Sequence, residues 1–96
     1  MFLIERLVWD PGNIRHVAGH AVTPGEVEAV CHSDPLTEFG KYGRLLVIGP
    51  TGTNRILTVV LDPEGPIGTY YVVTARPASR RERHLYRIYQ EEGNPE

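Results

Sequence analysis

One cysteine among 96 residues, Cys31, rules out an internal disulfide. Its neighbours Val27, Ala29 and Val30 point to a buried thiol in a reducing cytosol rather than to a nucleophile. Long apolar runs are missing as well. The segment Phe2 to Val8 is broken by Glu5 and Arg6, too short and too charged for a signal peptide or a membrane span. The protein is therefore expected to stay in the cytoplasm, with no membrane partner. There is no excess of basic charge either: the net charge is −2, which argues against an indiscriminate nucleic-acid binder.

Several catalytic signatures are also lacking. His16 and His20 are four residues apart, as in a zinc-binding helix, but the glutamate of the His-Glu-x-x-His motif is missing and no third ligand is evident. His32 and His84 add nothing at metal-ligand spacing, so neither a metal nor another cofactor is expected. The segment Gly49-Pro50-Thr51-Gly52-Thr53-Asn54 lacks the Gly-Lys-Ser/Thr ending of a phosphate loop and reads as a hairpin turn. No Ser, His, Asp order and no carboxylate pair supports a triad hydrolase or a glycosidase.

What is present is ordinary in amount and uneven in distribution. The hydrophobic fraction is 41% and the charged fraction 23%, values typical of a globular chain. One domain over residues 1–90 is expected, with Glu91 to Glu96 as a flexible C-terminal tail. Arg76, Arg80, Arg81, Arg83 and Arg87 supply half of the ten Lys and Arg residues. They make a local basic patch that the acidic total conceals.

The pattern of elements is α+β. Phe2 to Val8 reads as a strand closed by Asp10, Pro11 and Gly12. Ile14, Val17, Ala18 and Ala21 then recur at helical spacing, with Gly19 as the expected stop. Thr23, Pro24 and Glu26 supply a hydroxyl cap, a proline and a glutamate, which open a second helix whose inward stripe is Val27, Val30 and Cys31. Leu36 to Phe39, Arg44 to Ile48, Arg55 to Leu61 and Thr69 to Ala75 have strand character and are joined by short turns, which implies an antiparallel sheet. Ile56 to Leu61 is apolar on both faces and should be central. Ser79 and Glu82 repeat the capping box, opening a third helix with Leu85, Tyr86 and Tyr89 on one face. The expected order is β-α-α-β-β-β-α, with three or four strands after the second helix.

A helix beginning near Asp10 would align Trp9, Asn13, His16 and His20 along one stripe. One reading has Trp9 anchoring the helix to the sheet while Asn13 and the histidines bond to backbone or solvent; another has the polar members serving chemistry. Arg76 ends the last strand, and Arg80 and Arg81 lie in the first turn of the third helix, where free amides and the helix dipole favour anions; the alternative is a solvated face with Glu82 pairing locally, which suffices for Arg83 and Arg87.

Two segments carry a family resemblance. Trp9-Asp10-Pro11-Gly12-Asn13-Ile14-Arg15-His16-Val17-Ala18-Gly19-His20-Ala21-Val22-Thr23 and Ala75-Arg76-Pro77-Ala78-Ser79-Arg80-Arg81-Glu82-Arg83-His84-Leu85-Tyr86 resemble the opening and closing signatures of BrnT-like toxins. With the strands around Val47 and Val59 between them, the likeness spans nearly the whole chain. Many members carry a lysine in place of Asn13 and a glycine in place of Ala21. The resemblance implies a RelE-like fold, metal-independent cleavage of RNA, and neutralisation by a cognate antitoxin, often one with a ribbon-helix-helix DNA-binding domain. On that basis His16, His20 and Arg76 are the expected catalytic residues, Arg80, Arg81 and Asn13 are expected to hold RNA phosphates, and Trp9 is structural. The competing expectation is a degenerate toxin fold that only binds a partner. A DNA-binding regulator is less well supported, since neither a recognition helix nor a stacking platform is evident.

Overall fold

The computed structural model describes residues 4–93. Strand β1 (Arg6–Val8) leads into helices α1 (Pro11–Ala18) and α2 (Pro24–Cys31). These are followed by β2 (Leu36–Phe39), a 3-10 turn at Lys41–Gly43, β3 (Leu45–Pro50), β4 (Ile56–Pro63), β5 (Thr69–Pro77) and α3 (Arg80–Glu92). Phe2 and Leu3 of the expected first strand and Asn94 to Glu96 of the expected tail lie outside the described residues. Glu91 and Glu92, also assigned to the tail, complete the last turn of α3.

The strands form one sheet in the order β1-β5-β4-β3-β2. β2 to β5 are an antiparallel meander, as their short turns require. The expectation of a wholly antiparallel sheet fails at β1, which pairs with β5 in parallel. Turn length governs only strands adjacent in sequence; β1 and β5 are joined through the whole chain, and α1 and α2 carry it from one sheet edge to the other. Four strands, not three, follow α2.

All three helices begin with reciprocal capping boxes, built on Asp10 and Asn13, Thr23 and Glu26, and Ser79 and Glu82. Each box satisfies amides that the first turn leaves open. Helix α1 ends at Ala18 with Gly19 as its C-cap, the expected stop, and the turn that follows closes through Ala21. Val22 N–H donates to Val17 O at 3.0 Å and Ala21 N–H to Ala18 O at 2.9 Å. Ala21 itself has φ 61. This is the Schellman closure, with Ala21 in the left-handed position and Val22 packed back toward Val17.

Strand alternation sorts the sheet into two faces. Leu45, Val47, Leu57, Val59, Leu61, Val72 and Ala75 face Val17, Val22, Val27, Val30 and Cys31 from α1 and α2. On the other face Ile48, with Leu36 and Ile56 beside it, packs against Ala78, Tyr86 and Tyr89 of the α3 segment. β4 is thus central and covered on both sides, which explains its unbroken apolar run. Gly49 of β3 lets this layer close tightly: a Cβ there would lie 3.1 Å from Pro35 and 3.4 Å from Val30. Between Val60 and Leu61 the register with β5 shifts, because Val60 pairs with Thr74 and Leu61 with Val72. The extra residue, Val73, is a β-bulge that lets Val72 and Ala75 both face the core and turns Thr74 and Arg76 away from it, Arg76 toward Glu82 of α3.

Candidate active site on strand β5

Asn13 is 3% exposed, and its carboxamide is fully committed. It donates to Val8 O at 3.0 Å and Val72 O at 2.9 Å, and accepts from Asp10 N–H at 2.8 Å. Both amide hydrogens go to main-chain carbonyls, leaving no donor for a phosphate. Asn13 ties α1 to the strand pair instead. Asp10, its capping partner, also accepts from Tyr71 Oη at 3.0 Å. The Asn13 backbone N–H, then the Tyr71 hydroxyl, hold the Asp10 carboxyl below its ordinary value, and the bond to Asp10 raises Tyr71.

The expected four-residue stripe divides. Trp9 lies before the cap, half-buried against the main core, and its indole N–H reaches Glu28 of α2 at 3.0 Å. Its polar anchor is thus helix α2 and not the sheet. His16 and His20 are exposed and stay together, their rings edge to face with centroids 5.4 Å apart. His16 Nε2 lies 3.0 Å from Thr74 Oγ1. One ring nitrogen is therefore engaged, in a role its tautomer decides, and Nδ1 is the other proton-exchanging atom.

Arg76 is two residues further along the same face of β5 as Thr74, since Thr74 and Arg76 pair with Val60 and Thr58 of β4. That spacing is about 7 Å along a strand. The Arg76 guanidinium meets Glu82 end-on, with Nη1 to Oε1 at 2.7 Å and Nη2 to Oε2 at 2.8 Å. Oε1 also accepts from Thr58 Oγ1 and from Ser79 N–H, each at 2.8 Å. Hydrogen bonding by Arg76, with smaller help from Ser79 and Thr58, pulls the Glu82 carboxyl down to about 2, and the carboxylate raises Arg76 in return.

Arg80 and Arg81 occupy the first two positions of α3 and are exposed. Arg83 is tied to Ala78 O at 2.9 Å, and Arg87 to His84 Nδ1 at 2.9 Å. The expected basic cluster therefore separates into a paired arginine at the strand end, two open ones on the helix start, and two with local partners. Cys31 is buried, and desolvation followed by the nearby Glu28 charge pushes its thiol up to about 12. It is no nucleophile at neutral pH. His32 bonds to Glu28 O at 2.8 Å. Among the described residues no group of three or more His, Cys, Asp or Glu could hold a metal ion. No helix there is long and apolar enough to cross a membrane.

Thr74 and Thr58 were not singled out in the sequence, and Glu82 was read there as a cap and a local pairing partner. Thr74 was findable, being two positions before Arg76 on a strand and thus on its face. The structure gives Glu82 both roles, cap of α3 and bidentate partner of Arg76. Together, His16, His20, Thr74, Arg76 and Glu82 place an imidazole pair, a hydroxyl and a guanidinium–carboxylate pair along one strand. No protein-family model matches the chain, and no curated protein matches it.

Proposed function

We propose that the protein is a BrnT-like, RelE-like toxin: a metal-independent endoribonuclease of the bacterial cytoplasm, held in check by a cognate antitoxin. The observation that carries this reading is the meeting of His16 with Thr74, two residues from Arg76 on the same strand face. Cleavage of RNA needs a base to take the proton of the ribose 2′-hydroxyl as its oxygen attacks the adjacent phosphorus. An acid must protonate the departing 5′-oxygen, and positive charge must offset that gathering on the phosphate. The two histidines supply base and acid, Arg76 the charge, and Arg80 and Arg81 hold flanking phosphates. The products are a 2′,3′-cyclic phosphate and a 5′-hydroxyl. Asn13 serves this site by fixing α1, and with it His16, to β5.

The test is incubation of purified protein with RNA in EDTA, with the new ends identified chemically. Cyclic phosphate ends are expected, and His16→Ala and His20→Ala should each lower the rate by about 10² to 10⁴. RNA left intact, or rates unchanged in both variants, overturns the reading.

One observation favours a second reading. The Arg76 charge is already answered by Glu82, which suits a protein that retains the toxin fold and partner surface but does not cleave. Expression of the chain alone in bacteria separates the two: growth arrest relieved by His16→Ala fits the nuclease, and harmless expression fits the binding module.

A further inference from the structure

A guanidinium has five N–H donors in a plane, and only some edges can face a phosphate at once. In Arg76 the end-on edge, one hydrogen from Nη1 and one from Nη2, is taken by Glu82. The second Nη1 hydrogen points back toward Pro77 O, at 3.4 Å. What these bonds leave over is the lateral edge, Nε–H beside the second Nη2–H, which is itself a two-pronged fork for two phosphate oxygens.

We infer that Glu82 is a positioning residue that fixes the Arg76 guanidinium so that its lateral Nε–H/Nη2–H edge is presented to a phosphate group. The inference rests on the ribonuclease reading for its place in a reaction, and the phosphate of the RNA backbone is the ligand class it names. The carboxylate is suited to the task because it is itself immobile. Its side chain is 16% exposed, and its oxygens are held by the Ser79 amide at the start of α3 and by the hydroxyl of Thr58, which is 0% exposed on the central strand. Two elements of secondary structure thus set the carboxylate, and the carboxylate sets the arginine. A salt bridge formed merely for stability gains little from a carboxylate so heavily bonded, whereas one that orients a ligand-binding edge depends on that rigidity. The arrangement also lowers the net charge at the site. It sacrifices attraction for the ground-state phosphate while keeping a fork aimed where charge develops in the transition state.

Glu82→Gln tests this, because glutamine can still accept from Ser79 and Thr58 but brings an NH2 group against the arginine donors. The variant raises the local charge by one unit and frees Arg76 to turn. Cleavage (kcat) is expected to fall at least tenfold while RNA binding, read as KM or as the Kd of a 2′-O-methyl oligonucleotide, stays equal or tightens. Simple loss of structure would weaken both. Arg76→Lys should cost rate in the wild-type background and add little in Glu82→Gln. Thr58→Val, which removes one bond to the carboxylate without changing charge, should give a smaller shift in the same direction and serves if Glu82→Gln does not fold.

Nitrogen-15 NMR of the arginine side chains with inorganic phosphate as probe reads the same claim without cleavage. The Arg76 Nε–H signal should move in the wild type and lose that response in Glu82→Gln, or in part in Thr58→Val. If RNA stays intact but the Nε–H response behaves so, the nuclease reading falls and the positioning of Arg76 stands. If RNA is cleaved, yet phosphate moves the Nε–H signal alike in wild type and variants or not at all, the positioning inference is overturned.

Discussion

Asn13 and Val72 are 59 positions apart in the chain and joined by a 2.9 Å hydrogen bond from the buried carboxamide of one to the carbonyl of the other. With the companion bond to Val8 O at 3.0 Å, one side chain satisfies the last carbonyl of β1 and the β5 carbonyl just beyond their parallel pairing. Replacing the amide by a carboxylate would set acceptor against acceptor at a buried position. Asn13→Asp is expected to destabilise the protein by about 3 kcal/mol or more at neutral pH, and Asn13→Ala by about 1 to 3 kcal/mol. Urea denaturation measures both. If Asn13→Asp were tolerated while RNA binding collapsed, the residue would instead belong to the phosphate site.

The Arg76–Glu82 pair has a pH signature with a definite sign. The Glu82 carboxyl is lowered from 4.5 to about 2, so the native state holds its proton more weakly than the unfolded chain. The resulting stabilisation is complete above about pH 4.5 and is lost as pH falls toward 2. Unfolding free energies measured across that window should decline in the wild type and decline less steeply in Glu82→Gln. Part of the slope should survive, because the Asp10 carboxyl is lowered too. Identical slopes in the two proteins would mean that the pair is not formed in solution.

Most of the fold was legible because its signals are local. The capping boxes at Thr23 and Ser79 and the strand Leu36–Phe39 are set by residues within a few positions of one another, and the structure keeps them. The parallel pairing of β1 with β5 and the bulge at Val73 were not legible in the same way, because each depends on where another strand comes to rest. The meeting of Arg76 with Glu82 spans only six positions, and the sequence offered it as no more than local pairing on a solvated face. The Trp9, Asn13, His16 and His20 stripe shows both cases: helical spacing correctly joined His16 and His20, but the cap at Asp10 left Trp9 outside the helix, and burial gave Asn13 to the backbone.

Ala21 holds a backbone conformation that glycine adopts more readily. It sits at φ 61 in the closure of α1, where a Cβ is disfavoured by about 1 to 2 kcal/mol. Glycine removes that strain but loses more entropy on folding. Ala21→Gly is therefore expected to raise stability by about 0.5 to 1 kcal/mol, whereas Ala21→Val should lower it. Thermal melting decides the matter; a loss of stability in Ala21→Gly would show that the left-handed closure is not adopted.

The final prediction concerns the inhibitor that the toxin reading requires. Such a partner must deny RNA its phosphate contacts, and it does so most directly by placing carboxylates where phosphates would lie. Of the three arginines at that end of the sheet, Arg76 is already answered by Glu82, while Arg80 and Arg81 are exposed at the start of α3. An acidic antitoxin segment should therefore gain most from Arg80 and Arg81 and less from Arg76. Replacing both Arg80 and Arg81 by alanine is expected to weaken the complex at least about tenfold, equivalent to about 1.4 kcal/mol. It should also reduce the loss of affinity seen when salt is raised, because two charges no longer take part. Arg76→Ala alone should have a smaller effect. Arg55→Ala should leave affinity nearly unchanged, since that guanidinium is occupied by Glu26 at 3.2 Å and by Ala21 O at 2.8 Å. Isothermal titration at two salt concentrations compares the four proteins. If a folded Arg76→Ala, Arg80→Ala, Arg81→Ala variant binds the antitoxin as tightly as the wild type, the inhibitor acts on another surface and the shared-site account is abandoned.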